Sequence, residues 1–320
     1  MFAANTPIKK IAEKSPGDRL RGMAPVLALA FVLILFAVVT GGQSLEPGNL
    51  KIVILQAMIL MVSAMGAVFV MAGGNFDLSL GGVIGISSVI GFQLGGGDIL
   101  QTVVMCILAG LAVGSFVGFV VTILNVPSLF VGIVMMGVGK SVAGMAVQDV
   151  QMTTPIRFME LDELWFYALI AIIVSVVVYF LLNHSKVGIY NKSIGANRVA
   201  AFLSGIKLNK YQMIAYMITG ICSGLAAFLR MLRLGAVTST TGVGVELDVM
   251  LSLVVGGIAI SGGSTTKIRS VVIGVLLMQI LSNGLVMAGV HLNLINIVKG
   301  LVFILATWLS YDRKRGATLT

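Results

Sequence analysis

Apolar runs close to membrane length recur along this chain of 320 residues, and they leave few ways for it to fold. Ten can be marked: 23–40, 52–71, 80–97, 99–124, 127–147, 164–182, 211–231, 247–260, 268–289 and 293–310. A straight helix needs about 20 apolar residues to cross the hydrocarbon core, and several runs are shorter than that. Those runs are expected to be tilted or unwound. Only 10% of the residues are charged, against about a quarter in soluble domains, and mean hydropathy is +1.06. The expected fold is an all-α polytopic membrane protein with about ten transmembrane helices, broken near 72–82 and 256–266. The 39 glycines suit both close helix packing and such breaks.

A formal charge of +9 would suggest nucleic acid in a soluble protein. In lipid it reads differently, because basic residues collect in cytoplasmic loops. Lys9, Lys10, Lys14, Arg19 and Arg21 precede the first run, and five more occupy 183–210. Lys267 and Arg269 flank 261–267, and Arg313, Lys314 and Arg315 follow the last run. Most acids, Glu46, Asp98, Asp149, Glu160, Asp162, Glu163, Glu246 and Asp248 among them, fall in the segments left for the outside. Both termini are then cytoplasmic. The division is a basic tail at 1–22, one membrane domain at 23–310 holding a cytoplasmic loop at 183–210, and a tail at 311–320. The first run is expected to be a retained span, since GGQSLEPG after it offers no convincing cleavage site. Cys106 and Cys222 fall in apolar runs and are expected to be buried thiols. His184 and His291 are too few and too separated to argue for a metal.

Two polar interruptions carry the chemistry. Within 183–210, Val199, Phe202, Leu203 and Ile206 recur at i, i+3, i+4 and i+7, one face of a short helix. Asn197 can cap its start and Gly205 can end it. Such a helix can lie on the lipid surface as a connector or fill a groove on a soluble partner. The second interruption is GGNFDLSLGG at 73–82, echoed by GGIAISGG at 256–263, which hints at a duplicated unit. Asn75, Asp77 and Ser79 lie in it. A charge at mid-membrane costs about 2.5–3.5 kcal/mol on insertion scales, so Asp77 should face a cavity or a partner, or cap the next helix. Gln56, Asn125, Gln279, Asn283 and Asn296 either join helices or line a solute path. Lys140 and Lys299 are expected to snorkel toward the surface.

No G-x-x-x-x-G-K-[ST] phosphate loop, HExxH, CxxC or G-x-S-x-G occurs. The scarcity of intramembrane carboxylates argues against an acid proton relay, while sodium coupling through backbone carbonyls stays open. A secondary transporter driven by an ion gradient is therefore one alternative.

Four segments in order resemble bacterial ABC importer permeases of the ribose, xylose and galactoside type. They are GGNFDLSLGG, GANRVAAFLSGIKLNKYQMIAYMITGICSGLAAFLRMLRLG, GVELDVMLSLVVGGIAISGG and LSNGLVMAGVHLNLINIVKGLVFILA. The resemblance covers about 50–310 and implies a non-catalytic permease working as a pair, with a second copy or a paralogue. It also implies separate ABC ATPase subunits that hold ATP and Mg, and a periplasmic or lipid-anchored solute-binding protein. The chain itself would bind no cofactor, metal or nucleic acid, and would sit in the bacterial inner membrane. By the same resemblance Gly195, Ala196, Asn197, Val199, Ala200, Phe202, Leu203, Ser204 and Gly205 form the coupling helix that docks in the ATPase. Asn75, Asp77 and Ser79 lie near the translocation path, for which Gln56, Asn125 and Asn283 are further candidates. The chain departs from the family at Asn75-Phe76 before Asp77, at SGGSTTKIRS and at NVPSLF. A monosaccharide is the expected solute, with nucleosides and branched-chain amino acids as alternatives.

Overall fold

A computed structural model of the chain describes residues 16–148, 152–264 and 266–310. The tail expected at 311–320, and most of the tail at 1–22, lie outside the described residues. The helices are α1 (Pro16–Val39), α2 (Pro47–Ala72), α3 (Leu80–Leu94), α4 (Ile99–Thr122), α5 (Ser128–Gln148) and α6 (Leu164–His184). They continue as α7 (Lys186–Ala196), α8 (Arg198–Leu203), α9 (Leu208–Leu234), α10 (Val245–Val255), α11 (Ile268–Met287) and α12 (Leu292–Ser310). Every apolar run holds one of them, and α7 and α8 fall in the polar loop. Among the described residues, six helices (α2, α4, α5, α6, α9 and α11) are long and apolar enough to cross a membrane. The fold is all-α and polytopic.

α2 is the axis. From Ile59 to Ala72 every residue is buried, as befits a helix that is apolar on all sides. α6, α7, α9, α10 and α11 surround it. α6 lies at the periphery and turns Leu169, Ile172, Ile173, Val176 and Val177 outward, the face that lipid covers.

Glycine sets the closest approach in the bundle. Gly110 and Gly114 of α4 lie against Gly220 and Gly224 of α9, and Gly118 against Met213 and Tyr216. A Cβ on Gly114 would stand 2.7 Å from Tyr216 O and 2.8 Å from Gly220 Cα, so only hydrogen fits. Small residues four apart let two backbones touch, which matters where water supplies no hydrophobic drive between helices. Cys106 and Cys222, both free and buried, belong to this packing.

Two helices are half-length. α3 has 15 residues and α10 has 11, about 22 and 16 Å at 1.5 Å per residue. Each follows a long helix and a non-helical stretch: α2, then 73–79, then α3; α9, then 235–244, then α10. α2 and α9 run antiparallel. The start of α2 meets the end of α9 around Lys51–Glu163 and Arg233–Asp162, while Asn191 ties the start of α9 to the end of α2. The two half-helices therefore point in opposite directions, and their starts meet midway: a Cβ on Gly242 would stand 3.0 Å from Gly85 N. The internal correspondence thus pairs 73–79 with 235–244. The two glycine-framed breaks, 73–82 and 256–263, are instead pressed together.

α10 also corrects an expectation. The run 247–260 is helical only as Val245–Val255, because Gly256, and Gly257 at φ +93°, turn the chain. Glu246 and Asp248 are not in an outer loop. They occupy the first turn of α10, inside the bundle.

Gly114→Ala should lower the thermal midpoint in detergent by the equivalent of roughly 1–3 kcal/mol, the usual cost of overpacking. Gly144→Ala, whose Cβ meets nothing within 4 Å, should change stability by less than about 0.5 kcal/mol. Equal midpoints for the two variants would contradict the close approach.

Candidate functional site

Three segments far apart in sequence converge at the end of α2. Gly263 N–H donates to Ala72 O at 3.0 Å. Ser261 O lies where a Cβ on Gly74 would come within 3.1 Å, and a Cβ on Gly195 would stand 2.7 Å from Gly263 N. A Cβ on Gly263 would reach Ala196 Cα at 3.4 Å. Both breaks therefore touch each other, and both touch the last residues of α7. Gly74, Gly262 and Gly263 have positive φ, so their turns are open to glycine and strained for other residues. One backbone hydrogen bond thus joins the two breaks, while Gly74, Gly257 and Ser261 stay exposed.

Asn191 fixes α7 against this junction. Its side chain is fully buried, and Nδ2 donates to Val187 O at 2.9 Å and to Tyr211 O at 3.0 Å. Its Oδ1 faces Gly73, 3.1 Å from where a Cβ would be. Ser185 caps the start of α7 by accepting from Gly188 N–H. Lys192 donates to Asn183 Oδ1 at 2.9 Å, and partial burial pulls its ammonium below the ordinary lysine range.

α8 follows α7 after one residue. Asn197 Oδ1 accepts from Ala200 N–H at 3.0 Å, as an N-cap should. Gly205, at φ +78°, ends the helix with its N–H on Phe202 O. The helix stops at Leu203, so Ile206 lies past the turn rather than on the helix. Val199, Phe202 and Leu203 are 69%, 66% and 78% exposed, while Ala201 is buried and anchors the helix. An apolar triad on a short capped helix at the end of the bundle has no cover among the described residues.

The other candidates are distributed. Asp77 is 1% exposed, and its Oδ1 accepts from Ser79 N–H at 2.8 Å, closing the turn before α3. Phe76 N–H donates to Ser128 Oγ at 3.3 Å, which brings the 125–128 turn beside this break. Asn125 takes a left-handed φ of +54° there and is exposed. Asn75 is half-buried. Gln56 is exposed, and its carbonyl accepts from Gln279. Asn283 is a helix-joining amide: it exchanges two hydrogen bonds with Asn49, at 2.9 and 3.0 Å, near the opposite end of α2. Lys299 does not snorkel. Its Nζ is 2.6 Å from Asp248 Oδ1, which pins α12 to α10.

Sequence reasoning missed α7, Asn191 and the role of Glu246. The buried stripe of α7 is Gly188, Asn191 and Ile194. A glycine and an amide at i and i+3 conceal an apolar period.

A bundle of apolar helices around α2, with two half-helices whose starts meet and an exposed apolar helix at one end, is a multi-pass membrane protein. Residues 49–307 match the family described as branched-chain amino acid transport system / permease component, and the chain belongs to that family. It is a permease component, not a catalyst. It is 29% identical over 298 residues to the ribose import permease protein RbsC of Escherichia coli K12, spanning 87% of this chain and 91% of that protein. It is 29% identical over 312 residues to RbsC of Bacillus subtilis 168, spanning 93% and 94%. It is also 26% identical to the xylose transport system permease protein XylH of Haemophilus influenzae, spanning 91% and 96%. No solved structure matches the chain.

A double-mutant cycle on Asn49→Ala and Asn283→Ala should give a coupling of about 0.6–1.7 kcal/mol, the range for interhelical hydrogen bonds in membranes. Strictly additive unfolding free energies would mean that the reciprocal amide pair does not join these helices.

Proposed function

We propose that this chain is the membrane permease of an ATP-driven importer for a monosaccharide, moved by ABC ATPases that grip α8. The observation that carries the reading is the contact of the end of α7 with both glycine breaks. A displacement of α8 is passed through Gly195 and Ala196 to the junction. From there, residues 73–79 lead to the start of α3, and residues 256–263 lead back to α10. One handle thus moves two half-helices at the centre of the bundle.

The chemistry of α8 suits docking better than a plain connector. Burying Val199, Phe202 and Leu203 in a partner groove would contribute roughly 1.5–3 kcal/mol per side chain. The basic residues in 183–210 favour the cytoplasmic side for this end, and the same reading puts both termini there. ATP and Mg belong to the ATPases. A second permease copy or a paralogue completes the pair, and a solute-binding protein delivers cargo from the other face. The names of the curated relatives favour a sugar over a branched-chain amino acid, despite the wording of the family description. Alternating access then requires only that the partners bind the two states of the permease unequally.

Phe202→Asp places a charge in the docking groove. In the assembled transporter, stimulated ATP hydrolysis and uptake should both fall at least about tenfold, with the variant still present in the membrane at wild-type level. Uptake and hydrolysis like those of the wild type would remove α8 as the handle.

A further inference from the structure

The starts of α3 and α10 meet α5 around a cavity of about 130 Å³. Its walls include Gly81 of α3, Gly137 and Lys140 of α5, and Thr241 and Glu246. The cavity is at mid-bundle. Leu78 packs on Gly132, and Gly85 on Gly139, so this level corresponds to the middle of α5.

Glu246 is the unusual wall. It is 2% exposed. Its Oε1 accepts from Gly244 N–H at 3.1 Å, but its Oε2 is buried without a hydrogen-bond partner. A Cβ on Gly81 would collide with Oε2, so glycine there leaves this oxygen its place. Arg230 of α9, whose Nε is also buried without a hydrogen-bond partner, forms no ion pair with Glu246 among the described residues. Lys140, on another wall, is exposed and has no ion-pair partner among the described residues. Buried polar groups are normally satisfied, and one that is not calls for a ligand or a water. The space is about four times the ~30 Å³ that a water occupies in the liquid, enough for part of a sugar ring.

We propose that this cavity is a hydroxyl-binding subsite for the transported solute. Glu246 Oε2 accepts from one hydroxyl and Lys140 Nζ donates to a neighbouring one, the pattern that a vicinal diol offers. The apolar remainder of the wall, Met136 and Val243 among it, suits the C–H face of a sugar ring. Mostly apolar lining with few convergent polar groups is the usual form of a small-molecule site. Two of the walls are the half-helices tied to the junction below, so motion of α8 opens or closes the subsite. This inference rests on the transport reading, since it names where the cargo of that importer is held.

The test uses the full chain in vesicles with its ATPases and binding protein, and D-ribose, D-xylose and D-allose as probes. Glu246→Gln keeps an acceptor for Gly244 N–H and removes the charge. It should slow uptake of the transported sugar at least tenfold, while stimulated ATP hydrolysis stays within twofold. A thiol placed by Gly137→Cys, where a Cβ meets nothing within 4 Å, should react with a water-soluble thiol reagent several-fold more slowly when that sugar is present with ATP. Should Glu246→Gln fail to assemble, the labelling decides alone. A sugar-independent labelling rate, unchanged uptake by Glu246→Gln, or equal loss of uptake and hydrolysis overturns the subsite. ATP-driven uptake of none of the three sugars by the wild type overturns the proposed cargo class, and the subsite with it.

Discussion

Backbone polar groups in hydrocarbon must find partners inside the protein, and every unusual feature of this chain follows from that demand. The helices meet it by themselves. The stretches 73–79, 235–244 and 256–263 cannot: the first and last meet each other at the end of α2, while 235–244 bonds to 152–154 and packs against α3. The shortest statement of the arrangement is one hydrogen bond, Gly263 N–H to Ala72 O at 3.0 Å. It closes one break over the end of the helix that opens the other.

That closure explains the glycines better than flexibility does. At Gly195 and Gly262 the neighbouring backbone occupies the space a Cβ needs, so side chains are excluded by contact. The left-handed turn is a further reason at Gly262 and Gly74, and the main one at Gly263. The same economy holds α4 to α9. Full-length α2 forms the axis, and the breaks that precede α3 and follow α10 are tied together at its end. Under the proposed function, force applied at α8 reaches the junction through the last residues of α7, and α8 also touches the start of α9.

Much of this was legible in the sequence. Each apolar run contains a helix, because a continuous greasy stretch in lipid has few alternatives. The break at 73–82 and the short helix before Gly205 were also legible, since glycine pairs and an Asn cap are local signals. The pairing of the breaks was not, because it depends on contacts between Gly74 and Ser261, which no local pattern encodes. Glu246 was misplaced for a similar reason. An acid at the edge of a short apolar run reads as loop until the structure puts it on a half-helix in mid-bundle. α7 stayed hidden because Asn191 stands where a period of apolar residues would have revealed it.

Under the proposed function, this permease is a passive machine worked by its partners. The most direct test is solute accumulation in vesicles that hold the purified chain, first with ATPases, binding protein and ATP, then with a sodium or proton gradient alone. Accumulation should require the ATPases and ATP and be absent with either gradient. Accumulation at full rate by the chain alone, under a gradient, would contradict it.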